Sequence, residues 1–232
     1  MEGKKPTQLQ RLKYSVLRFL PGRKGLHYQR QFRRSRWMET ERAFQDALMK
    51  CRDKSAVDLG ANVGSFTAEI ASKVFKVHAF EPDPWAFRQL EERTKDMDNV
   101  VLYNTAVGHG SGTVTLYQHP KMKSNKMLST VSSIIDESRM VRDDSVAVKV
   151  EKIDFVEFLS RSNETFGILK IDVEGAELEI LERLIDSDQL NRFEYIFCET
   201  HEPELPHLLA RFDALRKHAN SIASPKINLD WH

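Results

Sequence analysis

A chain of 232 residues, 41% hydrophobic and 30% charged, has the length and composition of one α/β domain with an appendage, which excludes a disordered or fibrous chain. The formal charge of +1 hides an asymmetry: residues 1–50 hold 13 Lys and Arg against 4 Asp and Glu, a balance of +9 that leaves −8 for the remainder. No apolar run approaches the roughly 20 residues that span a bilayer, and no secretory apolar core leads the chain, so a cytoplasmic protein is expected.

In chain order, Leu9, Leu12, Val16 and Leu20 fall on one stripe of a helix over Gln8 to Leu20, which Pro21-Gly22 ends. A basic stretch runs on to Arg36, and Trp37 to Cys51 reads as a separate helix. From Ser55 short apolar runs alternate with helical segments. Ser55–Leu59, Val77–Phe80 and Asn99–Asn104 are predicted strands, with helices beginning near Gly64 and Pro84. Thr113–Gln118 and Ser145–Val150 alternate like half-exposed strands and predict an inserted antiparallel pair. The polar stretch between them, His119 to Asp144, is long enough to be functional or disordered. Phe166–Ile171 and Phe193–Glu199 are predicted buried strands around a helix from Gly175 to about Asp186. Cys198, inside the second of these, reads as a buried thiol, and two cysteines make no disulfide framework. Such alternation implies parallel strands joined by right-handed crossovers, hence a doubly wound, Rossmann-like α/β domain over 51–232 behind a basic helical extension over 1–50.

Val57-Asp58-Leu59-Gly60-Ala61-Asn62-Val63-Gly64 is a strand running into a glycine turn and a helix. Glycine lets backbone pass close under a ligand, and the helix start offers N–H groups to an anion. A dinucleotide fingerprint needs G-x-G-x-x-G; here Asn62 replaces the middle glycine and Ser65 the third, which removes most support for nicotinamide or flavin. Asp58 before the turn suits a cationic ligand, such as the ammonium group of a methionine moiety. Glu81, closing the next strand one crossover unit later, can accept both hydroxyls of a ribose. A purine ring then belongs near the end of the third strand, around Asn104, Ala106 and Val107.

Together with Phe80-Glu81-Pro82 and Asn104-Thr105-Ala106-Val107-Gly108, the turn and the string Leu169-Lys170-Ile171-Asp172-Val173-Glu174-Gly175-Ala176-Glu177 resemble the FkbM family of methyltransferases over roughly residues 55–202. The resemblance implies a class I fold and an S-adenosylmethionine-dependent O-methyltransferase acting on sugar or polyketide hydroxyls. Asp58, Gly60, Asn62, Gly64, Glu81, Asn104 and Ala106 would then bind the donor. Class I enzymes normally end in an antiparallel hairpin. After a helix from about Glu204 to Ala219, Asn220 to His232 leave room only for a cramped one ending in Ile227-Asn228-Leu229.

The strands deliver Asp58, Glu81, Asp172, Glu174, Glu199 and His201 towards one edge of the sheet. An alcohol acceptor must lose a proton, and Asp172, Glu174 or His201 is the expected base, with Glu199 orienting a partner. Glu177 reads as an acid favouring a helix N-terminus. Asp172, Glu199 and His201 are a possible oxygen and nitrogen set for a divalent cation, but they lack the spacing of a strong metal motif, and no metal is expected. The basic arm admits three readings: docking on the acidic domain or a second copy, contact with an anionic membrane surface, or nucleic-acid binding, which no base-recognising motif supports. A donor-binding module without catalysis is the non-enzyme alternative, against which the intact Asp58, Glu81 and Asp172 argue.

Overall fold

The computed structural model describes residues 7–18, 20, 22–118, 146–202 and 205–231. The polar stretch His119 to Asp144, expected to be functional or disordered, lies outside the described residues. The chain opens with α1 (Gln8–Leu17) and α2 (Gly22–Lys50), then β1 (Ser55–Leu59), α3 (Ser65–Ala71), β2 (Lys76–Phe80), α4 (Pro84–Thr94) and β3 (Val100–Tyr103). A smaller unit follows with β4 (Ala106–Gly108), β5 (Gly112–Gln118) and β6 (Val146–Asp154). The second half holds α5 (Phe155–Arg161), β7 (Phe166–Ile171), α6 (Glu177–Asp186), β8 (Tyr195–Cys198), α7 (Leu209–Ser221) and β9 (Lys226–Asn228).

Six strands make one sheet in the order β3-β2-β1-β7-β8-β9, every neighbouring pair parallel. The order reverses between β1 and β7, and at such a switch point the two chain exits diverge and open a crevice at the carboxyl edge. Buried on both faces, β1 and β7 read as unbroken apolar runs interrupted only by Asp58 and Lys170. Val57, Leu59, Leu169 and Ile171 pack on the face covered by α5, α6 and α7. Ala56, Val77, Ala79 and Ile168 pack on the other face, with α2 and α3. The expected antiparallel insertion is present: β5 pairs with β6 in antiparallel register, and β4 adds to β6 in parallel to complete a second sheet.

Two expectations need correction. The helix predicted from Trp37 begins at Gly22 and is continuous to Lys50, since no glycine or proline interrupts Leu26 to Lys50. Its last turns are core rather than appendage: Phe44, Ala47 and Leu48 are fully buried beside Cys51. The cramped last hairpin is also absent. The crossover through α7 returns the chain in the direction of β8, so β9 pairs with it in parallel over Tyr195↔Lys226 to Phe197↔Asn228. The residues after β9 then cross to α2. Trp231 is 1% exposed, with ring centroids 4.5 Å from Phe44 and 5.5 Å from Phe197. Asp230 receives Arg36 from α2 and Arg216 from α7, each at 3.1 Å.

This packing makes the end of α2 a structural part of the domain. Phe44→Ala should cost about 3–5 kcal/mol of unfolding free energy, read from urea denaturation; a loss below about 1 kcal/mol would return α2 to the status of an appendage.

Candidate active site

The site grows from two chain exits at the switch point. Asp58 and Lys170 are register partners on β1 and β7, and alternation sends both side chains to the α3 face. Lys170 is 2% exposed. Its Nζ lies 3.1 Å from Asp58 Oδ1 and 3.7 Å from Asp172 Oδ2, and it donates to the Gly60 carbonyl at 2.8 Å. Thr67, in the first turn of α3, donates to the other oxygen of Asp58 at 2.7 Å. Burial alone would lower the Lys170 pKa, but the charges of Asp58 and Asp172 outweigh it and the net shift is upward. One ammonium group therefore fixes both strand ends and the turn between them.

The glycines answer to the protein itself. Gly60 has φ +77°, and a Cβ there would lie 1.7 Å from the Asp172 carbonyl oxygen. Gly64 has φ +82°, and its Cβ would meet Leu90 of α4 at 2.7 Å. Asn62 takes the left-handed conformation too, at φ 49°, one that asparagine tolerates. Asp58, expected to meet a cationic ligand directly or through water, has no exposed surface; its carboxylate is held by Lys170 and Thr67, so it shapes the turn from beneath.

Glu81 leaves β2 and reaches across to this turn. It accepts the Asn62 N–H through one oxygen and the Asp83 N–H through the other, both at 2.8 Å. Burial pushes its carboxyl up to about 7, opposed by those two hydrogen bonds. Asn104 is committed to the backbone: its amide donates to the Glu81 and Pro82 carbonyls at 2.8 and 3.3 Å, holding the β2 exit. Ala106 is buried in the small core of the second sheet with Leu116 and Val150. Neither side chain is presented as a recognition group. Between them, the buried Thr105 Oγ1 has no hydrogen-bond partner.

The opposite wall is built around His201, just beyond β8. Its Nδ1 lies 3.0 Å and its backbone N–H 2.6 Å from Glu177 Oε1, while Nε2 lies 3.2 Å from Glu174 Oε2. Glu177 also accepts the Gly175 N–H at 2.8 Å and has no exposed surface. It lies in the first turn of α6, where an acid was expected, and is in addition a buried tie between the β7 and β8 exits. Burial works to lower the His201 pKa, but the hydrogen bonds and charges of Glu174 and Glu177 push it up to about 12. Both ring nitrogens thus face carboxylates, which hold the imidazole as a cation. Glu174 occupies left-handed backbone at φ 53°, ahead of Gly175 at φ 117°. Its carboxyl is raised to about 7 by burial, with His201 opposing. Asp172 is raised by burial against the pull of Lys170, and the charge of Glu199 raises it further. Glu199 is placed by its own N–H, which donates to the Ile171 carbonyl at 2.9 Å.

Ligand atoms of Asp172, Glu174 and His201 lie within 4.8 Å of one another. Glu174, not Glu199, completes the close group, and both His201 nitrogens already face carboxylates. The sequence missed Lys170 as the organising charge and Glu177 as the tie. The signal for the first was available: an ionisable side chain inside a fully apolar strand demands a partner.

A doubly wound parallel sheet, with a glycine turn at its switch point and acids gathered around it, places the chain among the α/β folds whose ligands bind in a switch-point crevice. Residues 58–220 match the family described as the methyltransferase FkbM domain, and the chain belongs to it. That family is one of methyltransferases, and the resemblance implies S-adenosylmethionine as the methyl donor. Among curated relatives, the protein named Methyltransferase 1 from Beauveria bassiana (strain ARSEF 2860) is 30% identical over 152 residues, 58% of this chain and 59% of its own. Methyltransferase sdnD from Sordaria araneosa is 27% identical over 173 residues, 63% of this chain and 66% of its own. The chain therefore spans less than two thirds of either relative. Among solved structures, an rRNA methylase from Streptococcus thermophilus shares 14% identity over 76% of both chains with a TM-score of 0.39, which adds nothing to what the topology shows.

The residues present fit the donor. Five carboxylates (Asp58, Asp172, Glu174, Glu177 and Glu199) surround only two buried cations, Lys170 and His201, which suits a ligand bearing sulfonium and ammonium charge. The unpartnered Thr105 hydroxyl stands at the end of β3, where a purine belongs.

Removing the organising charge tests this construction. Lys170→Met leaves two acids without their buried partner and should cost about 3–5 kcal/mol in urea denaturation. Adding Asp58→Asn should recover part of that loss, and two strictly additive penalties would show that the pair does not act as a unit.

Proposed function

We propose that the chain is an O-methyltransferase that methylates a hydroxyl of a sugar, glycan or polyketide-like acceptor, with Glu174 as the proton acceptor. The donor supplies a methyl group activated by its sulfonium, so alignment and exclusion of water can provide much of the catalysis. Glu81 retains lone pairs beyond its two backbone bonds and receives the ribose hydroxyls, while Asp58 and Lys170 hold the turn that carries the methionine end. The C–S bond breaks as the O–C bond forms, and the hydroxyl proton passes to Glu174.

The observation that carries this reading is the contrast between Glu174 and His201. A carboxyl raised to about 7 exchanges a proton near neutral pH, which suits a general base. The histidine beside it is held as a cation, so it positions Glu174 and takes no proton itself. Asp172, with 30% of its side chain exposed, faces the same edge and is expected to orient the acceptor.

Because the base must be ionised, turnover should rise with pH through about 7 and fall about tenfold per unit below it. Glu174→Gln should lower kcat by about 10²–10⁴ and abolish that inflection, with calorimetric donor binding retained. Asp172→Asn should abolish turnover with donor binding still measurable. Normal kcat and an unchanged pH profile in Glu174→Gln would remove Glu174 as the base. The acceptor class is read by mass spectrometry, using a methyl-labelled donor in a cell extract. Label on oxygen supports the reading, label on nitrogen or carbon overturns it, and donor binding without transfer to any hydroxyl identifies a binding module.

Both His201 nitrogens already face carboxylates and neither is available as a metal ligand, so exhaustive chelation should leave turnover unchanged. Loss of activity restored by one divalent ion would instead give Asp172, Glu174 and His201 to a metal.

A further inference from the structure

The first helix packs with its polar side inward. Against α2 it presents Arg11, Tyr14 and Arg18: Arg11 pairs with Glu39, the Tyr14 and Tyr28 rings lie 6.3 Å apart, and the Arg18 guanidinium sits 4.0 Å over the Phe32 ring. At about 100° per residue, Leu9, Leu12 and Val16 point the opposite way. They are 77%, 62% and 62% exposed, and Leu20 just beyond the helix is 41% exposed. Single exposed apolar side chains are ordinary, but a continuous stripe on the outer face of a helix marks an interaction surface.

Charge identifies the occupant. The stripe lies in the segment whose balance is +9, where Lys13 of α1 and Lys24 and Arg30 of α2 are exposed. Two such arms placed face to face would set +9 against +9. The acidic part of a second copy matches the charge but offers no matching stripe. Among the described residues after Cys51, the exposed large apolar side chains are Phe75, Val101 and Leu209, which come from three separate parts of the chain. An anionic lipid surface meets both requirements, with phosphates for the cations and an acyl boundary for the leucines.

We infer that α1 docks the protein on an anionic phospholipid surface, inserting Leu9, Leu12, Val16 and Leu20 at the headgroup boundary while the flanking lysines and arginines meet lipid phosphates. The domain, at −8, is repelled by the same surface and stays above it. The docking is peripheral: among the described residues no helix is long and apolar enough to cross a membrane.

Co-sedimentation of the full chain with vesicles of phosphatidylcholine and phosphatidylglycerol, against phosphatidylcholine alone, tests the inference. Binding is expected to the anionic vesicles only, weakened by salt. The double variant Leu12→Glu/Val16→Glu should lower it at least about tenfold, since two apolar anchors become repelled charges. Both positions are exposed, so melting temperature and donor binding should be unchanged, which separates loss of docking from misfolding. Wild-type protein that ignores anionic vesicles at low salt overturns the inference, as does a variant that binds them equally well. A dimer in sedimentation velocity that the same variant dissociates would also overturn it and assign the stripe to a second copy.

Discussion

Everything at the carboxyl edge depends on one buried ammonium group. The ends of β1 and β7 must diverge to open a crevice, yet the turn after β1 must stay close enough to β7 that a Gly60 Cβ would collide with the Asp172 carbonyl. Lys170 reconciles the two demands by bonding the Gly60 carbonyl and balancing Asp58 and Asp172 together. Desolvating an isolated charge is prohibitive, so this arrangement is stable only when all partners are present. The Lys170–Asp58 pairing also follows directly from strand register, which makes the cofactor turn a consequence of the β1–β7 contact.

The second wall is fixed differently. Lys170 acts from beneath the turn, whereas Glu177 acts sideways, accepting the Gly175 and His201 N–H groups and so joining the exits of β7 and β8. With both His201 nitrogens facing acids, the imidazolium ties Glu174 and Glu177 into one wall of the crevice. A left-handed, non-glycine residue such as Glu174 carries a conformational cost of roughly 1–3 kcal/mol that surrounding contacts must hold in place. Here the Glu177–His201 pair supplies the restraint.

Much of this was legible in the sequence because it rests on period and spacing. The alternation of apolar runs with helical segments gave the parallel order, and the residues bounding β1, β2 and β7 were placed within a residue or two. Asp172, Glu174, Glu199 and His201 were correctly gathered at one edge, since strand ends in such a sheet share an edge by construction. What sequence could not supply was pairing. Asp58 reads as a ligand contact until β7 is known to lie beside it with Lys170 in register, and Glu177 reads only as a helix-start acid until β8 delivers His201. The continuity of α2 was missed for another reason. Its residues before Trp37 are mostly basic and polar, with no apolar stripe dense enough to mark a helix, so the pattern-based boundary fell well inside it.

That helix also links the two ends of the molecule. At about 1.5 Å per residue, the 29 residues of α2 span about 43 Å, from contacts with α1 to the fully buried Phe44 and Leu48 under the sheet. Phe197 of β8, four residues before His201 begins to build the acidic wall, packs on Phe44 at 5.0 Å between ring centroids. The α2 segment that carries the arm is therefore continuous with the one against which a site-bearing strand is packed. Through so direct a connection, whatever surface holds α1 constrains the direction in which the carboxyl edge faces. An acceptor presented from that surface would meet Asp172 and Glu174 within a restricted range of orientations, and such restriction is what methyl transfer by alignment requires.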